Sequence, residues 1–318
     1  MAVKVLVTHG MSSDDLERIE AVAEGIDASA AGTAEEAMAR APDAEVLQAG
    51  RWSEELRQVA RRLKWVQSGG AGVERFMTPG FIASPVILTN AQGVYAVPIA
   101  DHVMAFMLHF SRRFNDMLRK QAAHEWESWD RRSSDELNGK TLGIVGLGAI
   151  GSELARRAKA FGMRVIATRR RPGSPSPHAD QVRGPDEMAW LLRGSDFVAL
   201  CSALTHETRH LIGEQELKLM KRTAFVINIG RGGLIDEQAL IVALKAEEIA
   251  GAGLDVFEHE PLPADSPLWD MPNVMITPHD AGSSPHSRER FMALFLENLR
   301  RYVASEPLLN VVDKRAGY

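Results

Sequence analysis

Cysteine, net charge and long apolar runs are all scarce in this 318-residue chain, and each shortage excludes a class of protein. Cys201 is the only cysteine, so no internal disulfide and no cysteine-based zinc cluster can form, and no metal site is expected. A net charge of −5 provides no general basic surface for a phosphate backbone, so no nucleic-acid partner is expected. The apolar run Val3 to Val7 is shorter than a signal peptide requires, and no run approaches membrane-spanning length. The expectation is a cytoplasmic protein with no membrane partner. At 45% apolar and 25% charged residues, the chain has the composition and length of two ordinary globular domains.

What is present is alternation. From Val3 to about Leu88, short apolar runs predict strands at 3–8, 46–49, 65–67 and 86–89, and helical periodicity appears at 14–23, 34–40 and 53–62. A helix is predicted over 97–123, where no glycine interrupts apolar residues such as Val103, Met107, Phe110 and Phe114. A second alternating set starts at Lys140 and continues through strands at 197–200, 224–229, 253–256 and 274–277, with a last helix over 288–304. The pattern predicts an α/β protein of two doubly wound parallel-sheet domains, in which a Rossmann-type cofactor domain (98–287) is inserted into a flavodoxin-like substrate domain (1–97 plus 288–318). A ligand is expected in the cleft between them.

The second set opens on a glycine-rich turn. Gly146, Gly148 and Gly151 follow the apolar run Leu142 to Val145 and open a helical stretch, the context a dinucleotide-binding fingerprint requires. Gly146 permits the tight turn, Gly148 lets backbone approach a pyrophosphate, Gly151 allows close packing, and the first helical turn at Ala149 and Ile150 presents free amides to the phosphates. The next strand ends at Thr168. There an NAD site would carry an acid for the ribose hydroxyls, whereas this chain carries Arg169, Arg170 and Arg171. A guanidinium grips a 2′-phosphate bidentately, so NADP(H) is expected in preference to NAD(H), which remains possible. The alternative is a solvated basic turn beside the loop that starts at Pro172.

Four further segments extend the pattern. They are Ser68 to Glu74, Thr89 to Val94 leading to Ala100-Asp101-His102, Ile227 to Gly233 followed by Asp236-Glu237, and Gly253 to Leu262 together with Thr277 to Gly282. In this order, with the glycine turn, the chain resembles the D-2-hydroxyacid dehydrogenase family, in particular its glyoxylate and hydroxypyruvate reductase-like members. The resemblance implies that Arg231, Glu260 and His279 are catalytic. Arg231 would anchor the carboxylate of a 2-keto acid and polarise its carbonyl, and His279 would donate a proton to the carbonyl oxygen as hydride reaches carbon 2. Glu260 would hydrogen-bond the imidazole and fix its tautomer.

By the same resemblance, Asp255 accepts from the nicotinamide carboxamide, Ile229 and Gly230 line the cofactor, and Ser202, Leu204 and Thr208 belong to the adenosine-side loop. That loop departs from the family's proline pattern at Ala203 and His206. On the substrate side, backbone amides at Ala71 and Gly72 would hold the carboxylate, and Arg51 and Tyr95 are candidates, with packing or surface placement as the alternative for both. His102 is expected to be structural, His259 to point away from the site, and His206, His210 and His286 to lack a paired acid. Asp280 is either an exposed cap or an addition to the basicity of His279. Trp126 and Trp129 are expected at the interface of a homodimer.

The expected activity is NADPH-preferring reduction of a small 2-keto acid, of the glyoxylate or hydroxypyruvate type, to the D-2-hydroxy acid. Within the enzyme class the rival is an NAD-dependent D-2-hydroxyacid or phosphoglycerate-type dehydrogenase, disfavoured because no regulatory domain follows residue 318. From another class, the rival is a nicotinamide-sensing, non-catalytic regulatory protein of the same fold.

Overall fold

In the computed structural model, residues 2–8, 11–126, 134–173 and 176–318 are described. The chain forms two compact units, Met1–Tyr95 with Ser284–Tyr318, and Ala96–Ser283.

The first unit is built from β1 (Val3–Val7), α1 (Ser13–Glu20), β2 (Ile26–Ala30), α2 (Ala34–Arg40), β3 (Val46–Ala49), α3 (Glu54–Val59), β4 (Trp65–Ser68), α4 (Pro79–Ala83) and β5 (Ile87–Thr89). All four helices start on a hydroxyl: Ser12, Thr33, Ser53 and Thr78 each accept from an amide of the first turn, satisfying a donor that the helix leaves open. The strands are parallel in the order β2-β1-β3-β4-β5, the flavodoxin-like arrangement. Strand β2 is absent from the sequence-based expectation. Its sequence, Ile-Asp-Ala-Ser-Ala, lies on the sheet edge with no fully buried residue, so it carries none of the apolar signal of β3 and β4.

The second unit begins with α5 (Ala96–Ser111) and α6 (Phe114–Ala122). The single helix predicted over 97–123 is therefore incorrect. Ser111 turns its hydroxyl back onto the Met107 carbonyl, 2.9 Å away, and Arg113 takes a left-handed conformation, φ 57°, with its guanidinium on Asp116 at 2.6 Å. The break thus comes from side chains competing for the local backbone, which hydrophobic periodicity does not report. There follow β6 (Thr141–Val145), α7 (Ala149–Ala160), β7 (Arg164–Thr168), β8 (Gln181–Arg183), α8 (Met188–Gly194), β9 (Phe197–Leu200), α9 (Glu214–Leu219), β10 (Phe225–Asn228), α10 (Glu237–Lys245), β11 (Gly251–Leu254) and β12 (Val274–Ile276).

These seven strands are parallel in the order β12-β11-β10-β9-β6-β7-β8. The progression reverses between β6 and β9, the switch point of a Rossmann sheet, beside which ligands bind. One face is covered by α8, α9 and α10 through Leu191, Leu217 and Leu240, the other by α5 and α7 through Val103, Phe106 and Leu154. The protein is thus an α/β fold of two doubly wound parallel sheets.

The last helix, α11 (Ser287–Val303), belongs to the first unit. Phe295 packs on Trp65, and Tyr302 stacks on the same indole. Asn298 is fully buried; its amide nitrogen donates to Gln67 Oε1 (3.1 Å) and to the Leu309 carbonyl (3.2 Å), and its oxygen accepts from the Leu309 amide (2.7 Å). Asn298→Ala strands these partners in the core and is expected to lower the unfolding free energy by about 2 to 3 kcal/mol, measured by urea denaturation.

Candidate active site

In the second unit the catalytic candidates follow three adjacent strands. Arg231 comes three residues after β10, Glu260 lies in the loop after β11 and His279 in the turn after β12. Because β10, β11 and β12 are neighbouring parallel strands, these loops emerge at the same edge of the sheet, with roughly 5 Å between strands. The segments touch: a Cβ added at Gly232 would stand 1.9 Å from the Phe257 carbonyl carbon, so only glycine lets the Arg231 turn close on the Glu260 loop.

Glu260 and His279 are brought together. Nδ1 of His279 lies 2.7 Å from Glu260 Oε2, while Oε1 accepts from the Phe257 amide at 3.0 Å, so the carboxylate is fixed at both oxygens. A carboxylate at Nδ1 selects the Nδ1–H tautomer and leaves Nε2 to exchange a proton with a ligand. Both side chains are solvent-accessible, at 48% and 35%. The Arg231 guanidinium is half-buried and donates to the Gly230 carbonyl at 2.7 Å. Asn228 holds the turn on both sides, through its Nδ2 to the Arg231 carbonyl (2.9 Å) and its Oδ1 to the Gly230 amide (3.1 Å).

His279 sits at φ 54°, a left-handed conformation that a non-glycine residue keeps only when its surroundings enforce it. Asp255, 1% exposed, supplies the enforcement. Its carbonyl accepts from the His279 amide (2.8 Å). Its carboxylate accepts from the Thr277 hydroxyl (2.6 Å) and from the amides of Asp280 (2.9 Å) and Ala281 (3.1 Å). The Thr277 hydroxyl, having given its proton to Asp255, accepts at 3.0 Å from His102 Nε2 on α5. His102 and Thr277 are 175 positions apart and carry no shared sequence signal. Asp280 does act as a local cap, its carboxylate accepting from the Ser283 hydroxyl.

The dinucleotide candidates form one continuous wall. Gly146, at φ 95°, turns the chain from β6 into α7, and its amide and that of Leu147 donate to the Thr168 carbonyl at 3.0 and 3.1 Å. A Cβ at Gly146 would stand 2.8 Å from the Ser202 amide, and one at Gly151 would stand 2.7 Å from the Gly146 carbonyl. At Gly148 it would meet nothing within 4 Å. The α7 N-terminus has no side-chain cap, so the amides of Ala149, Ile150 and Gly151 are left for a ligand. Open space over uncapped amides fits a pyrophosphate. Arg169 donates to the Pro172 carbonyl (3.3 Å), and Arg170 faces Glu207 at 3.7 Å. The loop after β9, the adenosine-side candidate, is closed on itself by Thr208, whose hydroxyl donates to the Ala203 carbonyl (2.7 Å) and accepts from the Thr205 amide (2.8 Å). Leu204 packs into the core, and buried Ile229 and half-buried Gly230 run beneath Ser202. Burial pushes the neighbouring Cys201 thiol up to about 12, so it is protonated at neutral pH.

In the first unit, Tyr95 donates to the Gly69 carbonyl at 2.7 Å, and the Asn90 amide donates to the Ala71 carbonyl at 2.9 Å. Both brace the turn that includes Gly72, and burial holds the Tyr95 hydroxyl above its ordinary range. Arg51 is exposed, with its guanidinium on the Gly32 carbonyl. Trp52 packs between Phe76 and Phe81. Trp126 is fully exposed, and Trp129 lies outside the described residues. One expectation is overturned: His210 does have an acidic partner, Glu258, 2.8 Å from its Nε2. The two are far apart in sequence, on the loops after β9 and β11, which the alternation alone does not bring together.

Asp255→Asn replaces an acceptor with an amide group facing backbone N–H donors. It is expected to raise hydrogen exchange at the amides of Asp280 and Ala281 by tenfold or more, from a loss of about 1 to 3 kcal/mol, read by exchange mass spectrometry.

Residues 104–281 match the family model described as D-isomer specific 2-hydroxyacid dehydrogenase, NAD binding domain. The chain is 35% identical over 316 residues to the D-3-phosphoglycerate dehydrogenase of Methanocaldococcus jannaschii, covering 98% of this chain but only 59% of that protein. It is 40% identical over 242 residues to a glyoxylate/hydroxypyruvate reductase B of Klebsiella pneumoniae, covering 75% of this chain and 74% of that one. A solved D-isomer specific 2-hydroxyacid dehydrogenase from Xanthobacter autotrophicus Py2, in complex with NADPH and MES, superposes with a TM-score of 0.87 at 29% identity, over 100% of both chains. With the dinucleotide wall and the histidine–glutamate pair in place, the chain belongs to the D-2-hydroxyacid dehydrogenase family, oxidoreductases that act on the CH–OH group with a nicotinamide cofactor.

Proposed function

We propose that the protein is an NADPH-preferring reductase of small 2-keto acids, glyoxylate or hydroxypyruvate, yielding the D-2-hydroxy acid where the product is chiral. The observation that carries this reading is the 2.7 Å contact between Glu260 and His279 Nδ1, which leaves the far ring nitrogen for proton transfer. A bound nicotinamide dinucleotide supplies hydride to carbon 2. His279 then gives its Nε2 proton to the carbonyl oxygen, so that one C–H and one O–H bond form as the carbonyl π bond is lost. Arg231 holds the substrate carboxylate and stabilises charge on that oxygen, with the amides of Ala71 and Gly72 as further carboxylate donors and Arg51 and Tyr95 as contributors on the substrate side. Gly146, Gly148, Ala149, Ile150, Gly151, Thr168, Ser202, Leu204, Thr208, Ile229, Gly230 and Asp255 hold the dinucleotide, and Arg169 and Arg170 hold its 2′-phosphate. The NADPH found in the Xanthobacter relative supports this preference. We place the protein in the cytoplasm as a homodimer, with Phe114, Leu118 and Trp126, exposed by 46%, 57% and 102%, on the interface.

Purified protein is expected to oxidise NADPH with glyoxylate or hydroxypyruvate at a higher kcat/KM than NADH. NADPH bound but not oxidised across a panel of keto acids would instead make the protein a nicotinamide sensor. A preference for phosphorylated hydroxypyruvate would favour a phosphoglycerate-type role, as in the Methanocaldococcus relative. Arg169→Asp is expected to reverse the cofactor preference by raising KM for NADPH roughly tenfold or more, with KM for NADH changed little. His279→Ala is expected to lower kcat roughly 100-fold or more at nearly unchanged dinucleotide affinity, by stopped-flow and fluorescence titration.

A further inference from the structure

Outside the residues assigned above, one ionisable pair joins two parts of the site. His210 Nε2 lies 2.8 Å from Glu258 Oε1, an ion-pair contact when the imidazole is protonated, and the two side chains are 42% and 24% exposed. His210 ends the adenosine-side loop: the Arg209 amide returns to the Thr205 carbonyl at 3.0 Å and the Leu211 amide to Thr208 at 3.2 Å, and His210 itself sits at φ 51°. Its own amide donates to the Gly233 carbonyl (2.8 Å), and Ile212 pairs with the next segment, its amide on the Leu234 carbonyl (3.0 Å) and its carbonyl accepting from Asp236 (2.9 Å). The loop after β9 is therefore laced to the segment that follows Arg231.

Glu258 carries the connection onward. Its amide donates to Glu237 Oε2 (3.3 Å), the Glu237 amide faces Glu258 Oε1 (3.4 Å), and the Phe257 amide one residue before it holds Glu260 at 3.0 Å. The Glu258 carboxylate thus meets His210 and the Glu237 amide, the Glu237 carboxylate in return takes the Glu258 amide, and the chain continues through Phe257 to the acid that orients His279. The left-handed backbone at His210 aims its ring at Glu258 and costs conformational energy unless the contact returns it.

We propose that His210 is a positioning residue that, through Glu258, locks the adenosine-side loop to the loop bearing Glu260, so that dinucleotide binding and the alignment of the catalytic histidine are set together. This rests on the reductase reading for its kinetic arm only; the binding arm stands without it.

The test is a double-mutant cycle on the full chain, reading the Kd for NADPH by fluorescence, then kcat and the KM of glyoxylate. His210→Ala and Glu258→Ala are each expected to weaken NADPH binding and lower kcat roughly fivefold to tenfold, with the KM of glyoxylate within about twofold, and the double variant is expected to be no worse than either single one. His210→Gln, which keeps a side-chain N–H donor, is expected to recover most of the loss. Wild-type constants in both alanine variants, or losses that multiply in the double variant, overturn the proposal. If the alanine variants do not fold, Glu258→Gln, whose amide oxygen still accepts from His210, is compared with Glu258→Leu, which cannot; equal NADPH affinity in the two overturns it. Wild-type protein that binds NADPH without turning over any keto acid sinks the reductase reading but leaves the binding cycle decisive for this one.

Discussion

The site depends on a buried carboxylate whose hydrogen bonds its own chain must supply. Asp255 is out of reach of water, and an ionised carboxylate in that position is tolerable only if donors are brought to it. The donors come from one short turn, the Thr277 hydroxyl and the amides of Asp280 and Ala281, and bringing all three to one carboxylate leaves little freedom for the residues between them. His279 lies in that span and is driven into a left-handed conformation that costs about 1 to 3 kcal/mol. The imidazole is thus directed first by backbone geometry, and only then by its hydrogen bond to Glu260. Two carboxylates divide the work: the buried one shapes the turn, and the exposed one selects the tautomer.

A parallel sheet makes such a division possible. Every strand of the second unit runs the same way, so the loops after β6, β9, β10, β11 and β12 all open at one edge. The loops are kept together by contacts too close for side chains: the Gly146 turn against Ser202, and Gly232 against Phe257. Backbone touching backbone is stiff, since no rotamer can give way, and stiffness at this edge is what a proton transfer over a fixed distance requires.

Legibility in the sequence followed the physical origin of each feature. Strands β3, β4 and β9 are fully buried and read as apolar runs, and the glycine turn reads because Gly146 and Gly151 have no room for a side chain while Gly148 opens onto free space. The edge strands β2 and β8 bury no residue fully and leave no such trace. The break between α5 and α6 comes from a serine bonding back to its helix and an arginine in a left-handed turn, local side-chain contacts that apolar periodicity does not report. The pair Glu260 and His279 was legible through the motifs around it. The partners His102, Thr277 and Glu258 were not, because a hydrogen bond between distant chain positions has no periodicity, and only coordinates bring its ends together.

Cofactor choice, on the proposed reading, is governed by the attraction of Arg169 and Arg170 for a 2′-phosphate. Arg170 and Glu207 face each other at 3.7 Å with both side chains about half exposed or more, an ion pair worth little in water. Arg169 donates to the Pro172 carbonyl at 3.3 Å. A doubly charged 2′-phosphate offers a guanidinium bidentate geometry and more charge than either of these contacts. On that reading a ribose with a free 2′-hydroxyl forgoes the guanidinium contacts and finds arginines, not an acid, directly after β7. Discrimination by gain alone gives a ratio rather than an exclusion, because the rejected ligand loses nothing except the added contact. On the proposed reading NADH is a weaker cofactor and not a forbidden one, and the size of the preference follows from how completely Arg169 and Arg170 exchange their present partners for the phosphate.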